Sequence, residues 1–99
     1  MVRIQVDRAR IREFCRRHHI RRLSFFGSVL RDDFTPDSDV DVLVEFEPGK
    51  TPGLAFFGMG DELSGILGRK VDFNTAGFLG KRYRDEVIRT AEAIYDVAR

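Results

Sequence analysis

The sequence predicts one small mixed α/β domain, and three observations lead there. Its 99 residues suffice for one hydrophobic core and leave no room for a second. Two segments, 39–46 and 70–74, alternate polar and apolar side chains at the period of a strand. Two others, 7–19 and 81–97, repeat apolar residues at helical spacing.

The first helix is expected over residues 7–19. Ile11, Phe14, Cys15 and His18 share one side, arginines take the other, and Asp7 is its N-cap. The apolar run 23–26 stops at Gly27 and reads as a strand, followed by a short helix over 28–32. Thr35-Pro36-Asp37-Ser38 is a turn signature. Residues 39–46 form the second strand, with Val40, Val42, Val44 and Phe46 toward the core. Glu47-Pro48-Gly49 ends it, because proline cannot donate to a ladder. A helix is expected across 54–67, with Phe57, Leu63, Ile66 and Leu67 on its apolar side. Gly58 and Gly60 each weaken its first half by roughly 1 kcal/mol relative to alanine. The firm part is therefore 61–67, closed by Gly68. In the third strand, 70–74, Val71 and Phe73 alternate with Lys70, Asp72 and Asn74. The last helix is expected over 81–97, with Tyr83, Val87, Ile88, Ala91, Ile94 and Tyr95 inward.

An apolar share of 42% and a charged share of 33% describe an ordinary soluble globule. The net charge of +1 does not decide for or against nucleic acid, but the charges are segregated. Arg10, Arg12, Arg16, Arg17, Arg21 and Arg22 precede Asp32, Asp33, Asp37, Asp39 and Asp41. A basic surface beside an acidic pocket suits a nucleotide or polynucleotide. A solvated helix face explains the same arginines equally well. Cys15 is the only cysteine, which excludes an internal disulfide, and a buried inert thiol is expected. A reducing cytoplasm is compatible with that usage. No apolar run is long enough to cross a bilayer, and the N-terminal segment is too charged for a signal peptide.

The chemistry is concentrated in Gly27-Ser28, ten residues, then Asp39-Val40-Asp41. On a strand, Asp39 and Asp41 project from one face. Bare carboxylates side by side repel, so one is expected to shift toward protonation. A divalent cation relieves that repulsion, and Mg²⁺ takes carboxylate oxygens together with substrate phosphates. If strands two and three are neighbours, Asp72 joins the pair on the uncovered face of the sheet. Ser28 either donates to a phosphate or caps the following helix. Arg31 either neutralises a triphosphate or pairs with an acid such as Asp33. His18 and His19 have no matching ligand partners and read as a helix-end pair. Phe56-Phe57, beside glycines, is a candidate partner contact.

With these residues in place, the chain resembles the DNA polymerase β-like nucleotidyltransferases. Within them it is similar to the minimal nucleotidyltransferase antitoxins of HEPN/MNT toxin–antitoxin pairs. Gly27-Ser28, the spacing to Asp39-x-Asp41, Ser38 before the pair, the apolar strand after it and Asp72 carry the likeness, which spans 23–95. It implies an α+β fold, a three-stranded or slightly larger mixed sheet flanked by helices, over a single domain of residues 1–99. It also implies Mg²⁺-dependent transfer, with two ions, of AMP from ATP to a tyrosine of a HEPN toxin. Asp39, Asp41 and Asp72 match the metal-binding and catalytic carboxylates, and Gly27 and Ser28 match the nucleotide-binding turn. Asp32-Asp33 departs from the small residues common there. The chain lacks an evident acceptor-binding half, so an oligomer with the partner is implied, without membrane and without need of nucleic acid. Two other functions stay open: an antitoxin that blocks its toxin by contact alone, and a transferase acting on a small molecule such as an aminoglycoside.

Overall fold

Asp7 opens the fold as the sequence predicts: its carboxylate accepts the Arg10 N–H at 3.1 Å, the N-cap of helix α1, Arg8–Arg17. In this computed structural model, which describes Val2 and residues 4–98, β1 (Ile20–Phe26), a one-turn 3₁₀ helix (Gly27–Leu30) and β2 (Val40–Phe46) follow. Next come α2 (Phe56–Leu67), β3 (Val71–Asn74), a second 3₁₀ turn (Ala76–Phe78), α3 (Lys81–Thr90) and β4 (Glu92–Asp96). The strands form one mixed sheet in the order β3-β2-β1-β4. β1 is antiparallel to β2 and β4, while β2 and β3 run parallel. No helix among the described residues is long and apolar enough to cross a membrane.

The period of two in β2 sorts the protein into layers. Val40, Val42 and Val44 are buried against Phe25 and Leu23 of β1, Ile11, Phe14 and Cys15 of α1, and Met59 and Leu63 of α2. The Cys15 thiol is fully buried there, and burial pushes its pKa up to about 12, so it is inert as expected. Gly60 lets α2 lie close on β3: a Cβ there would come within 3.1 Å of Phe73 Cβ. Gly68 ends α2 with a left-handed φ of 67°.

Several expectations change. The C-terminal helix stops at Thr90, and Glu92–Asp96 pairs with β1 as a fourth strand. Ala91, Ile94 and Tyr95 have helical spacing, but β1 had a free edge, and strand pairing overrode a local pattern that fitted both states. β1 begins three residues earlier than expected because Ile20 finds Phe46 across the ladder. Phe57 is 72% exposed rather than on the buried side of α2, where Met59 takes its place. The second face of the sheet is also not bare: Phe26, Leu43, Leu79 and Val87 form a second apolar cluster over part of it. Tyr83 and Ile88 of α3, expected inward, are exposed, and of the helical part of that stripe Val87 alone is buried.

Burial and periodicity thus disagree along α2, and unfolding measurements separate them. Leu63→Ala should lower the stability to urea by about 2–5 kcal/mol, the range for emptying a buried leucine site. Phe57→Ala should change it by no more than about 0.5 kcal/mol. Equal losses would mean that Phe57 is packed in solution.

Candidate active site

Parallel pairing of β2 with β3 sets Asp41 directly opposite Asp72. Asp41 is half-buried near the start of β2, where antiparallel β1 places Phe26 on its other flank. Asp72 is exposed, and Asp39 is half-buried just before β2. The Asp41 carboxyl is pushed up to about 6, first by burial, then by the charges of Asp72 and Asp39. A hydrogen bond with Asp72 favours the protonated form, and the Arg31 guanidinium opposes the rise. The expected shift is present, but desolvation leads it and Asp72 repels more strongly than Asp39. The structure therefore brings Asp41 and Asp72 together, with Asp39 within electrostatic reach. Among the described residues, no three His, Cys, Asp or Glu side chains form a ready cation cage.

The turn after β1 wraps the Asp41 carboxylate. Gly27 has φ +73°, and a Cβ at this position would lie 2.4 Å from Asp41 Oδ2. Glycine is required twice over, for the left-handed backbone and for contact with the acid. Ser28 sits inside the 3₁₀ turn, where its carbonyl accepts the Arg31 N–H at 2.9 Å. Its hydroxyl makes no hydrogen bond among the described residues, and the N-cap position belongs to Phe26. The capping reading of Ser28 therefore falls.

The loop between the turn and β2 is tied at several points. The Thr35 N–H donates to Ser38 Oγ at 3.0 Å, and the Ser38 N–H donates to the Thr35 carbonyl at 3.0 Å. The Val40 N–H donates to the Lys70 carbonyl at 2.9 Å, which starts the β2–β3 ladder. Of the two readings of Arg31, the structure shows the pairing with an acid. Its Nε lies 3.1 Å from Asp33 Oδ1, an exposed pair worth little by itself, and its charge also acts on Asp41.

One residue was missed. Helical spacing places Tyr83 in an apolar stripe, yet it stands half-exposed in the field of the site. Its ring meets Phe26 edge-on at 6.2 Å, and its phenol pKa is raised by burial first and then by the Asp41 charge. Helical periodicity holds no signal for this, because it cannot show what α3 lies over. The histidines belong elsewhere. His18 Nε2 lies 2.8 Å from Glu62 Oε1, and Arg17 pairs with the same carboxylate, joining α1 to α2.

Residues 8–94 match the nucleotidyltransferase domain family. The protein adenylyltransferase MntA of Thermococcus cleftensis is 34% identical over 85 residues, covering 85% of this chain and 82% of the relative. A solved structure whose name presents it as a minimal nucleotidyltransferase is 39% identical, with a TM-score of 0.70 and 86% of each chain covered. A crystal structure of a toxin–antitoxin with AMP-PNP shares the fold at 16% identity and a TM-score of 0.74, covering 93% of this chain and 75% of that one.

The raised Asp41 carboxyl has a stability consequence with a definite sign. Between its unfolded value of 3.8 and about 6 the folded state holds the extra proton. The contribution is therefore complete below 3.8 and is lost as pH rises through 6. Asp41→Asn removes the charge, so near pH 8 it should be more stable than the parent by about 1–2 kcal/mol, after allowance for solvent screening. The gap should close in acid. A parent as stable as the variant at pH 8 would contradict a desolvated, repelled Asp41.

The Gly27 contact can be isolated by a double-mutant cycle. Gly27→Ala should cost several kcal/mol in denaturant unfolding. In an Asp41→Ala background only the left-handed strain remains, about 1–2 kcal/mol. An unchanged cost in both backgrounds would show that the carboxylate is not what the added Cβ meets.

Proposed function

The chain belongs to the nucleotidyltransferase domain family and is an enzyme of that type, and from there we propose that it transfers AMP from ATP to a tyrosine of a HEPN-type toxin, acting as its antitoxin. The observation that carries this reading is Asp41 set opposite Asp72 beneath the Gly27 turn. The name of the Thermococcus relative supports a protein acceptor, and the AMP-PNP complex of a fold neighbour supports an ATP-type donor.

The donor set fits Mg²⁺. Asp39, Asp41 and Asp72 offer hard carboxylate oxygens, and burial followed by the charges of Asp72 and Asp39 raises the pKa of Asp41, a cost that a cation would relieve. Asp39, Asp41 and Asp72 would hold two such ions together with the substrate's phosphates. Bound Mg²⁺ supplies neutralising charge and polarises the phosphate oxygens.

The remaining roles fall to the chain's own residues. The Gly27-Ser28 turn receives the triphosphate, with the free Ser28 hydroxyl as donor and Arg31 adding positive charge. Asp72, on the open side, accepts the phenol proton as the tyrosine oxygen attacks the α-phosphorus. The new P–O bond joins tyrosine to AMP, the bond to the bridging oxygen breaks, and pyrophosphate leaves. Added bulk and negative charge on the toxin would then oppose RNA phosphates at its site.

Coexpression with the partner and mass spectrometry test this. The parent should leave the toxin carrying AMP. Asp72→Ala should fold, since Asp72 is exposed, and bind the partner, yet transfer nothing. A toxin silenced without added nucleotide, or silenced equally by Asp72→Ala, would refute transfer and leave inhibition by contact.

A further inference from the structure

We propose that the cleft between the exposed face of α1 and the edge of β4 binds the phosphate backbone of a single-stranded nucleic acid. Arg8, Arg12 and Arg16 recur at i, i+4 and i+8, so they stand in a row with about 6 Å of rise between neighbours. With residues 93–97 they line a cleft of about 710 Å³. None of the carboxylates or turn residues of the candidate active site lines it.

The cations in this row are available. Arg12 and Arg16 are exposed and make no ion pair or side-chain hydrogen bond among the described residues. Nearby arginines differ: Arg17 is held by Glu62, Arg21 by Glu45, and Arg22 by Glu45 and Asp96. Arg8 donates from one nitrogen to the Ile94 carbonyl at 3.2 Å and keeps further N–H groups. Among the described residues one acid lines the cleft, and it is occupied: Asp96 accepts the Ala98 N–H at 2.9 Å and lies 3.7 Å from Arg22 Nε.

The shape favours a polynucleotide strand over an acidic peptide. An extended peptide enters such a trough by pairing with the strand edge. Arg8 already reaches over β4 to the Ile94 carbonyl and guards that edge. A phosphodiester chain needs no ladder. It needs guanidinium forks spaced along its backbone and an aromatic wall, which half-buried Tyr95 provides. The cleft lies beside α1, away from the Asp41 face, so this binding is independent of the transfer reaction.

Fluorescence anisotropy of a labelled oligouridylate, in EDTA to exclude metal-dependent phosphate binding at the carboxylates, tests the proposal. Affinity should fall with salt on a log–log slope of about −2, as expected for three contacts to a single strand. Arg12→Ala/Arg16→Ala should bind at least tenfold more weakly, with a slope shallower by about 1.4. Arg10→Ala, on the opposite side of α1, should match the parent. If the double alanine variant unfolds more readily, Arg12→Gln/Arg16→Gln takes its place and should show the same loss. Three results would each overturn the assignment: no binding at low salt, an equal loss in Arg10→Ala, or displacement of the oligonucleotide by polyglutamate at equal charge.

Discussion

Two carboxylates held opposite one another across a parallel β-ladder are the constraint around which this protein is arranged. Like charges directly across a sheet destabilise it. Parallel pairing nonetheless fixes Asp41 beside Asp72, because Val40 and Val42 on the same strand are buried against Val71 and Phe73. Hydrophobic burial on one face therefore sets the register that concentrates charge on the other. A slip by one residue would relieve the acids but turn every valine of β2 outward.

The second face is divided between packing and chemistry. Phe26, Leu43, Leu79 and Val87 cover one part of it. The Asp41 end stays accessible beneath the turn after β1. Partial cover explains why Asp41 is desolvated enough for its carboxyl to rise to about 6 while Asp72 stays wet. It also gives the two acids different environments on one face: Asp41 is half-buried and Asp72 is exposed.

The arginines divide in a similar way. Arg17, Arg21 and Arg22 are spent on carboxylates that join α1 to α2 and brace the sheet. Such exposed pairs contribute little stability each. Arg12 and Arg16 have no such partner among the described residues, so their charge faces solvent along the edge of β4. The charge segregation along the chain is thus not one basic patch but a paired group and an open row.

Local pattern alone determined much of this protein. The period of two in 39–46 and 70–74 located β2 and β3 and put Asp41 and Asp72 on one face, with Asp39 just before the strand, while Asp7 and Gly68 marked helix ends. Gly27 was legible as a special backbone position, but not for its closest contact. Only tertiary structure decided that its missing Cβ makes room for the Asp41 carboxylate, since that contact joins the turn after β1 to β2. It also decided that 92–96 is a strand, because Ile94 and Tyr95 fit either period and the free edge of β1 chose between them. Tyr83 was illegible for the same reason: periodicity states which way a side chain points from its helix, and only packing states what it points at.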